Sequence, residues 1–542
     1  MADIKKITKE ITKNTVIENV TKDLSPKENI KKENTDSNNT YDSDESKSTN
    51  SSSSDGENGD CFQGEVLLNR YILIKRIGCG AFASVWLSFD VENEKYYAIK
   101  IQEAKSYHDG KEEVYFLKEL QKYDCKYISN MIDYFVITGN HIQQDYYELS
   151  KQIQEKEKPN RYVCMVFELM ACHLFNIIRK GKYRHGLPIP IVKRMIKQVL
   201  TALDIVHNKL KTIHTDVRLE NILICGIDPQ IQILIDKLNE FNIIKKITEV
   251  KLEYAKENNI DISNKNQKKK LSKTNPKYKI LKKVNGLIQS KYILYSHQNS
   301  ENNSVSENDV KKDMNELFIN KNEEYSSDYE ECSDYISTSQ SEETHTSDDD
   351  EIETSSSENR LEVISDKYIN NCCVKLTDFG LIQYMNDELD PSIQTRYYRS
   401  PEIILGYPFN ETCDLWSLAC ITYELLTGEI LFHPSKDDEF SRDEQHLYWL
   451  QELLGPFPKT MIQKSKRKNK FFDDDCRLKI LKTCGEIERE SLKKIFEDTT
   501  KFTREEIKEL CAFLTPMLKY DPGKRATVAD CLQNQWLANV EI

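Results

Sequence analysis

The chain has 542 residues, of which 38% are hydrophobic and 30% are charged, so it is more polar than a packed globular protein. At roughly 100–200 residues per domain, about two to four domains are expected. The formal net charge of −13 is concentrated in one segment. Residues 322–358 contain 14 Asp and Glu and no Lys or Arg, and the remainder of the chain sums to +1. The acidic balance therefore says little about any catalytic domain.

Composition also argues against a membrane or secreted protein. No apolar run approaches the ~20 residues that span a bilayer, and MADIKKITKE lacks the apolar core of a signal peptide. The 15 Cys lack the spacing of a disulfide framework or a zinc site. We therefore expect an intracellular chain with reduced thiols, in the cytosol or nucleus.

Two kinds of sequence make up the first third of the chain. Residues 1–60 are rich in Lys, Glu, Asn and Ser and offer too little apolar surface to offset the entropy of ordering, which predicts a disordered extension. From Cys61, dense apolar alternation predicts a sheet with one helix. The strands are predicted in RYILIKRIG, SVWLSFDV, KYYAIKIQ, YFVITG and RYVCMVFEL, and the helix in EEVYFLKELQKY.

Beyond His173 the apolar period becomes helical, and a long polar segment interrupts it. Helices are predicted in IPIVKRMIKQVLTALDIVHNK, CDLWSLACITYELLTG, DEQHLYWLQELLG and REEIKELCAFLTPMLK. Residues 225–370 have no sustained period and are predicted to be a disordered, charged spacer. The spacer is basic first and acidic second, with a net +10 over 245–291 and −14 over 322–358.

Two motifs in the predicted sheet suit phosphate binding. A Gly-rich hairpin lets backbone amides approach phosphate oxygens, although a plain β-turn would explain this motif alone. The hairpin comprises Gly78, Cys79, Gly80, Ala81, Phe82, Ala83, Ser84 and Val85. Lys100 ends the third strand and precedes a helix with Glu112 and Glu113. A strand Lys held by a helix Glu would contact the α- and β-phosphates of ATP, whereas a solvated surface pair is the alternative.

The decisive motif is the segment His214-Thr215-Asp216-Val217-Arg218-Leu219-Glu220-Asn221. Asp216 is spaced to accept a hydroxyl proton, and Asn221 is spaced to turn back and bind a metal ion. Three further motifs follow: Thr377-Asp378-Phe379-Gly380, which adds a second metal-binding carboxylate, Ser400-Pro401-Glu402, and Asp414-Leu415-Trp416-Ser417. This order is that of a protein kinase.

The order of the motifs also explains the spacer. One site for ATP and Mg²⁺ requires Asp216, Asn221 and Asp378 to lie close together, although the spacer separates them in sequence. Residues 61–224 and 371–542 must then fold as one domain around a looped-out insert. We predict an α+β, bilobal eukaryotic protein kinase fold, with a small β-rich N-lobe containing one main helix and a larger α-helical C-lobe.

The quoted segments resemble the SR protein kinases, a branch of the CMGC group that phosphorylates Ser in the Arg-Ser repeats of splicing factors. GCGAFASVWLSFDV, HTDVRLENILI, IQTRYYRSPEIILG, TGEILFHPSKDDEFSRDEQHLYWLQELLG and FLTPMLKYDPGKRATVADCLQNQWL carry the resemblance. It covers nearly all of both predicted kinase segments and includes the position of the spacer. DEQHLYWLQELLG differs from the corresponding segment of the related Clk kinases.

The resemblance implies roles for individual residues. Lys100 would contact ATP phosphates with Glu113 as its partner, and Asp216 would be the catalytic base. Asn221 and Asp378 would bind Mg²⁺. The resemblance places Ala98 and the Gly-rich hairpin against ATP, Phe167 at the back of the adenine pocket, and Glu168, Leu169 and Met170 in the hinge that bonds the adenine. It also implies a buried ion pair between Glu402 and Arg525.

Several positions depart from the usual kinase pattern. Arg218 replaces a Lys, keeping the positive charge for the γ-phosphate on a bulkier group. Thr215 replaces the Arg that holds a loop phosphate in many kinases. The activation loop, between Gly380 and Ser400, is short and contains only Ser392 and Thr395 before Arg396. We therefore expect a loop ordered by its own packing and activity without phosphorylation.

Acidic residues of the second lobe suggest a substrate. Clusters such as Asp437-Asp438-Glu439 and Asp473-Asp474-Asp475 would attract Arg-rich peptides, although a solvated acidic loop is the alternative. The resemblance places a docking groove for Arg/Ser-rich substrates at Glu429, Gln445 and Glu452. Gln445 lacks the acid that the family has there, so looser docking is expected.

The remaining expectations concern location, partners and competing functions. QKKKLSK, residues 267–273, suits a nuclear import signal, or it is only a Lys run in a disordered segment. By resemblance the spacer controls partition between cytoplasm and nucleus, with chaperones or import factors as its contacts. We expect a monomer without a direct nucleic-acid or membrane partner. A Clk- or DYRK-like dual-specificity kinase and a pseudokinase scaffold are the competing functions.

Overall fold

The computed structural model describes residues 62–138, 161–240 and 368–542, apart from Asn69, Ala81, Val91 and the gaps 63–65, 180–181, 370–371 and 436–438. The predicted disordered extension, 1–60, and most of the predicted spacer lie outside these residues. Among the helices within them, none has the length and apolarity needed to cross a membrane.

The first part of the chain forms a six-stranded antiparallel sheet with the order β1-β2-β3-β4-β6-β5. Its strands are β1 (Val66–Leu67), β2 (Tyr71–Cys79), β3 (Ala83–Asp90), β4 (Lys95–Gln102), β5 (Met131–Thr138) and β6 (Arg161–Phe167). Helix α1 (Tyr107–Gln121) buries Val114, Phe116, Leu117 and Leu120. The sheet with one main helix is the predicted N-lobe.

The second part is mainly helical. Its longer helices are α2 (Leu174–Arg179), α3 (Ile189–Asp204), α4 (Pro229–Glu240), α5 (Pro401–Leu405), α6 (Thr412–Thr427), α7 (Arg442–Leu454), α8 (Lys459–Lys464), α9 (Lys468–Phe471), α10 (Leu481–Cys484), α11 (Leu492–Asp498), α12 (Arg504–Met517) and α13 (Val528–Leu532). Every residue of α6 is buried, including the carboxylates Asp414 and Glu424. Helices α3 and α12 pack against it, and the α+β bilobal prediction is confirmed.

Two small sheets lie where the lobes meet. One has the order β10-β9-β7, from β7 (Met170–His173), β9 (Ile222–Cys225) and β10 (Val374–Leu376). The other pairs β8 (Thr212–Ile213) with β11 (Gln383–Tyr384). Because β9 precedes the predicted spacer and β10 follows it, their pairing joins the two kinase segments into one domain.

Part of the predicted spacer is ordered, and for that part the prediction of disorder over 225–370 is wrong. Helix α4 buries Leu234, Ile235 and Leu238, which follow one another on one helical face. The far end of the spacer is anchored too, because the Tyr368 hydroxyl donates a hydrogen bond to the Ile227 carbonyl at 2.6 Å. One short amphipathic helix is easily overlooked inside a long polar segment.

The predicted ion pair between Glu402 and Arg525 is present and fully buried. The Arg525 guanidinium donates to both carboxylate oxygens, at 2.6 and 2.7 Å, and neither side chain is exposed. Arg525 also donates to the carbonyls of Thr412 and Lys519 and lies over the Trp416 ring. The pair joins α5, which follows the activation loop, to the segment just before α13.

Replacing Glu402 with Gln should lower the free energy of unfolding by about 3–5 kcal/mol, because Arg525 would stay buried without a counterion. Urea titration followed by circular dichroism measures the change. Glu497→Gln is the control, since Glu497 pairs with Lys493 at 3.4 Å on the surface and should shift stability by no more than about 0.5 kcal/mol. Equal losses from the two variants would contradict this account of the buried pair.

Candidate active site

An ammonium group lies at the junction of three segments. The Lys100 Nζ donates to both carboxylate oxygens of Glu113 at 2.8 and 2.9 Å and to the Asp378 Oδ1 at 2.8 Å. Burial alone would lower the pKa of Lys100, but these two carboxylates outweigh it and raise that pKa. Lys100 is therefore held as a cation beside Asp378, as the sequence predicts.

The Asp378 carboxyl group is held in its anionic form. Burial would raise its pKa, but the charge and hydrogen bond of Lys100, with smaller contributions from His214 and Arg218, lower it. Its side chain is 47% exposed, so the free oxygen faces open space. Carboxylate and amide oxygens suit a hard divalent cation, which commonly takes only one or two protein ligands plus substrate phosphates.

Aromatic packing keeps α1 and the Asp378 segment together. The buried Phe379 ring lies 5.6 Å from the ring of Phe116 on α1 and 5.1 Å from the His214 ring. Phe116 is three residues after Glu113, so one helix supplies both the carboxylate for Lys100 and the apolar contact for Phe379. The ion cluster and the aromatic cluster therefore require the same position of α1.

The loop that carries Asp216 is fixed by a buried carboxylate on α6. Asp414 accepts hydrogen bonds from the backbone amides of His214 and Thr215 at 2.8 and 3.0 Å and contacts the His207 Nε2 at 2.8 Å. Thr215 has a φ of +71°, a left-handed conformation that is costly for a β-branched residue. The bonds from Asp414 offset this strain.

Asp216 lies at the centre of a small polar network. The Asn221 amide donates to the Asp216 carbonyl at 2.9 Å and to its Oδ2 at 3.1 Å. The Thr395 hydroxyl donates to Oδ1 at 2.8 Å and accepts from Arg218 at 3.2 Å. Arg218 also pairs with Glu220 at 2.8 Å. Sequence reasoning named Thr395 only as a hydroxyl of the activation loop and missed its contact with Asp216.

The Gly-rich hairpin and the hinge lie on either side of Lys100. Strands β2 and β3 pair from Tyr71 to Cys79 and from Ser84 to Asp90, and the Gly80 amide donates to the Ala83 carbonyl at 2.9 Å. Ala81 is outside the described residues. Phe167 ends β6 opposite Ala98, so Glu168 and Leu169 form the link to β7 at Met170. Glu168 pairs with Lys375 of β10, a contact that the sequence did not indicate.

Side chains of the unphosphorylated chain bind the activation loop to its surroundings. The Thr215 hydroxyl donates to the Leu381 carbonyl at 2.7 Å, and the backbone amide of Gln394 donates to the backbone carbonyl of Thr215 at 3.0 Å. The Gln394 side chain accepts from the Ser400 amide and hydroxyl, each at 2.9 Å, and donates to Ser417. Thr215 thus contacts this loop at the position where other kinases place an Arg.

One of the three predicted docking residues lines a groove in the described part of the chain. Glu452 lines an open groove of about 190 Å³, whereas Glu429 and Gln445 do not line it. The Gln445 oxygen instead accepts a hydrogen bond from the Ser435 amide at 3.0 Å. The groove is lined by Leu431, Phe432, Trp449, Glu452, Leu453, Glu490 and Ile495. Glu490 was missed, although it belongs to the acidic run GEIERE.

Comparison with known proteins agrees with this geometry. Residues 71–256 and 359–537 match the protein kinase domain. The chain is 32% identical to a protein of Acanthamoeba polyphaga mimivirus named as a serine/threonine-protein kinase, over 88% of this chain and 89% of the relative. It is 27% identical to the serine/threonine-protein kinase SRPK of Physarum polycephalum, over 88% of each chain. Identity to the human SRSF protein kinase 3 is also 27%, over 88% of this chain and 87% of that one.

The fold, the split domain and the ion cluster define a protein kinase that uses ATP and a divalent metal. The chain belongs to the protein kinase family, and the relatives that it matches at 27% identity include an SRPK and an SRSF protein kinase, the group that its sequence resembles. It is a protein serine/threonine kinase.

Thr395→Val should lower kcat about ten- to a hundredfold, because a hydrogen bond to a charged group contributes about 1.5–3 kcal/mol. The KM for ATP should change less than kcat, since the Thr395 hydroxyl bonds Asp216 and Arg218 and not Lys100. Steady-state kinetics measures both constants. Thr395→Ser keeps the hydroxyl and should retain most of the rate; a Val variant with the wild-type kcat would show that the contact with Asp216 is unimportant.

Protein made in bacteria and treated with phosphatase should remain active, because Thr215 and Gln394 already order the activation loop through hydrogen bonds. Mass spectrometry verifies the absence of phosphate, and phosphate transfer is measured with Asp216→Asn as the blank. Loss of activity on phosphatase treatment, with recovery after rephosphorylation, would overturn the expectation.

Proposed function

We propose that this kinase transfers the γ-phosphate of ATP, with Mg²⁺, to Ser in Arg/Ser-rich proteins and thereby regulates splicing factors. The observation that carries the proposal is the acidic groove on the second lobe, where the carboxylates of Glu452 and Glu490 lie among apolar and aromatic side chains. Relatives named as SRSF protein kinases support the same substrate class.

The residues around Asp216 suit the chemical step. Lys100 would bind phosphate oxygens, and Asn221 and Asp378 would hold Mg²⁺, which would supply positive charge to the phosphates. Asp216 orients the Ser hydroxyl and accepts its proton as the oxygen bonds to the γ-phosphorus and ADP leaves. Arg218 lies beside Thr395 and Asp216, where its cation stabilises negative charge on the transferred phosphoryl group.

The groove has the chemistry that an Arg-rich segment requires. Burial raises the pKa of Glu452, and the nearby charge of Glu490 raises it further, so an incoming cation would relieve both effects. Trp449 in the same groove offers an aromatic face on which a guanidinium can stack. A Lys ammonium neither forms the planar two-bond contact with a carboxylate nor stacks in this way, so Arg is favoured over Lys.

Phosphate transfer to an Arg-Ser repeat should far exceed transfer to Lys-Ser and Ser-Pro peptides of equal length, with Asp216→Asn as the blank. Glu452→Lys with Glu490→Lys should raise the KM for the long repeat, because the groove would repel it. The matched control is Glu505→Lys with Glu509→Lys, which makes the same charge change on α12, none of whose residues line the groove.

Three outcomes of this experiment have different meanings. Equal rates on all three peptides would refute the Arg-Ser preference. An unchanged KM for the groove variant would refute docking in the groove while leaving the preference standing. Phosphate on Tyr, in the chain itself or in a substrate, would favour the dual-specificity alternative.

We also propose that the insert distributes the kinase between cytoplasm and nucleus. Deleting 242–366 keeps α4 and Tyr368, so catalysis on the Arg-Ser repeat should be retained while a fluorescent fusion changes its distribution in cells. Replacing Lys268, Lys269 and Lys270 with Gln tests the basic segment alone. An inactive deletion variant, or an unaltered distribution, would contradict the proposal.

A further inference from the structure

Two cysteines lie opposite each other in the small sheet beneath the hinge. Val374 of β10 pairs with Ile224 of β9, and the next position along the ladder brings Cys373 opposite Cys225. The Cys225 amide donates to the Cys373 carbonyl at 2.9 Å. Directly opposite residues of an antiparallel pair project from the same face, so these thiols are neighbours.

The pair is positioned for a disulfide. Opposite residues in a hydrogen-bonded pair have Cα atoms about 5.5 Å apart, within the range of about 4.4–6.8 Å found for disulfides. Both side chains are partly exposed, so a small oxidant can reach them. The adjacent Cys372 is buried, and because neighbouring side chains alternate along an extended chain it projects away from the pair.

The surroundings favour a nucleophilic sulfur at Cys373. The adjacent Cys225 thiol and the positive charges of Lys375 and Lys126 lower the pKa of the Cys373 thiol, against the opposing effects of burial and of Glu168, which pairs with Lys375. The pKa of Cys225 is raised, chiefly because its proton is engaged by Cys373 and because it is buried. One thiolate beside one thiol is the arrangement that reacts stepwise with a peroxide.

We propose that Cys225 and Cys373 form a reversible disulfide in response to hydrogen peroxide, and that this bond weakens ATP binding. The Cys373 sulfur attacks one peroxide oxygen, the O–O bond breaks, hydroxide leaves and takes up a proton, and a sulfenic acid remains. The Cys225 sulfur then attacks the Cys373 sulfur, the S–O bond breaks and water leaves with the Cys225 proton. Two thiols are oxidised, and one peroxide is reduced to two waters.

The coupling to ATP runs through the hinge. The Cβ atoms of directly opposite residues are about 4.5–5.5 Å apart, and this distance is near its upper limit in a hydrogen-bonded pair. A disulfide shortens the distance to about 3.8 Å. The Gln198 side chain bonds the Cys372 carbonyl at 3.0 Å and the Val374 amide at 2.7 Å, which fixes the β10 side. The movement therefore falls on Cys225 and on Met170, which pairs with it at the end of the hinge.

Full-length protein treated with peroxide tests the proposal. Mass spectrometry without reductant should find the Cys225 peptide linked to the Cys373 peptide, and calorimetry should show a severalfold higher Kd for Mg·ATP that dithiothreitol reverses. Cys372→Ser should behave as wild type. Because the readout is ATP binding, the result does not depend on the protein substrate.

Single replacements distinguish the roles of the two sulfurs. In Cys225→Ser, peroxide should leave a sulfenic acid at Cys373 that reacts with dimedone, whereas Cys373→Ser should show none at Cys225. Neither variant should show the disulfide-dependent rise in Kd. Absence of the cross-link in wild type, a cross-link without a change in Kd, or the same rise in Kd in both variants would overturn the proposal.

Discussion

The contact of Lys100 with two carboxylates is the interaction on which the rest of the active site depends. Glu113 comes from α1, Asp378 from the segment after β10, and Lys100 from β4, so one ammonium group joins three elements across both lobes. The Lys100 ammonium is largely buried, and a buried charge requires partners at hydrogen-bonding distance. Any displacement of α1 or of the Asp378 segment would leave one of these charges unpaired, which is why local order and catalytic geometry coincide.

A second buried carboxylate performs the corresponding task for the catalytic loop. Asp414 lies in the fully buried helix α6 and accepts hydrogen bonds from the backbone amides of His214 and of Thr215, which has a left-handed backbone conformation. The same loop reaches the activation loop through Thr215. The catalytic loop and the activation loop are therefore both held in place from α6, a helix with no exposed residue among the described ones. The hydrogen bonds of Asp414 and of the Thr215 hydroxyl order these segments at the place where other kinases use a contact between Arg and a phosphate.

Sequence reasoning predicted the elements with strong periodicity and the residues of short, chemically distinctive motifs. Lys100, Asp216, Asn221 and Asp378 could be found because phosphoryl transfer needs those groups at those spacings. Contacts such as Thr395 with Asp216 could not, because a hydroxyl in a loop has no periodic or compositional signal and its partner is distant in sequence. Helix α4 was not predicted for another reason. Its apolar face is short, and the long polar segment around it lowers the overall hydrophobicity from which disorder was predicted.

The anchoring of Tyr368 to Ile227 gives the insert a particular thermodynamic character. This contact and the pairing of β9 with β10 fix the two ends of the insert within the folded lobe. The free-energy cost of closing a chain segment grows slowly with its length, by about 0.6 kcal/mol for each doubling. The length of the insert therefore has little effect on the stability of the lobe. Related chains can lengthen, shorten or recharge the segment while the lobe that contains it keeps almost the same stability.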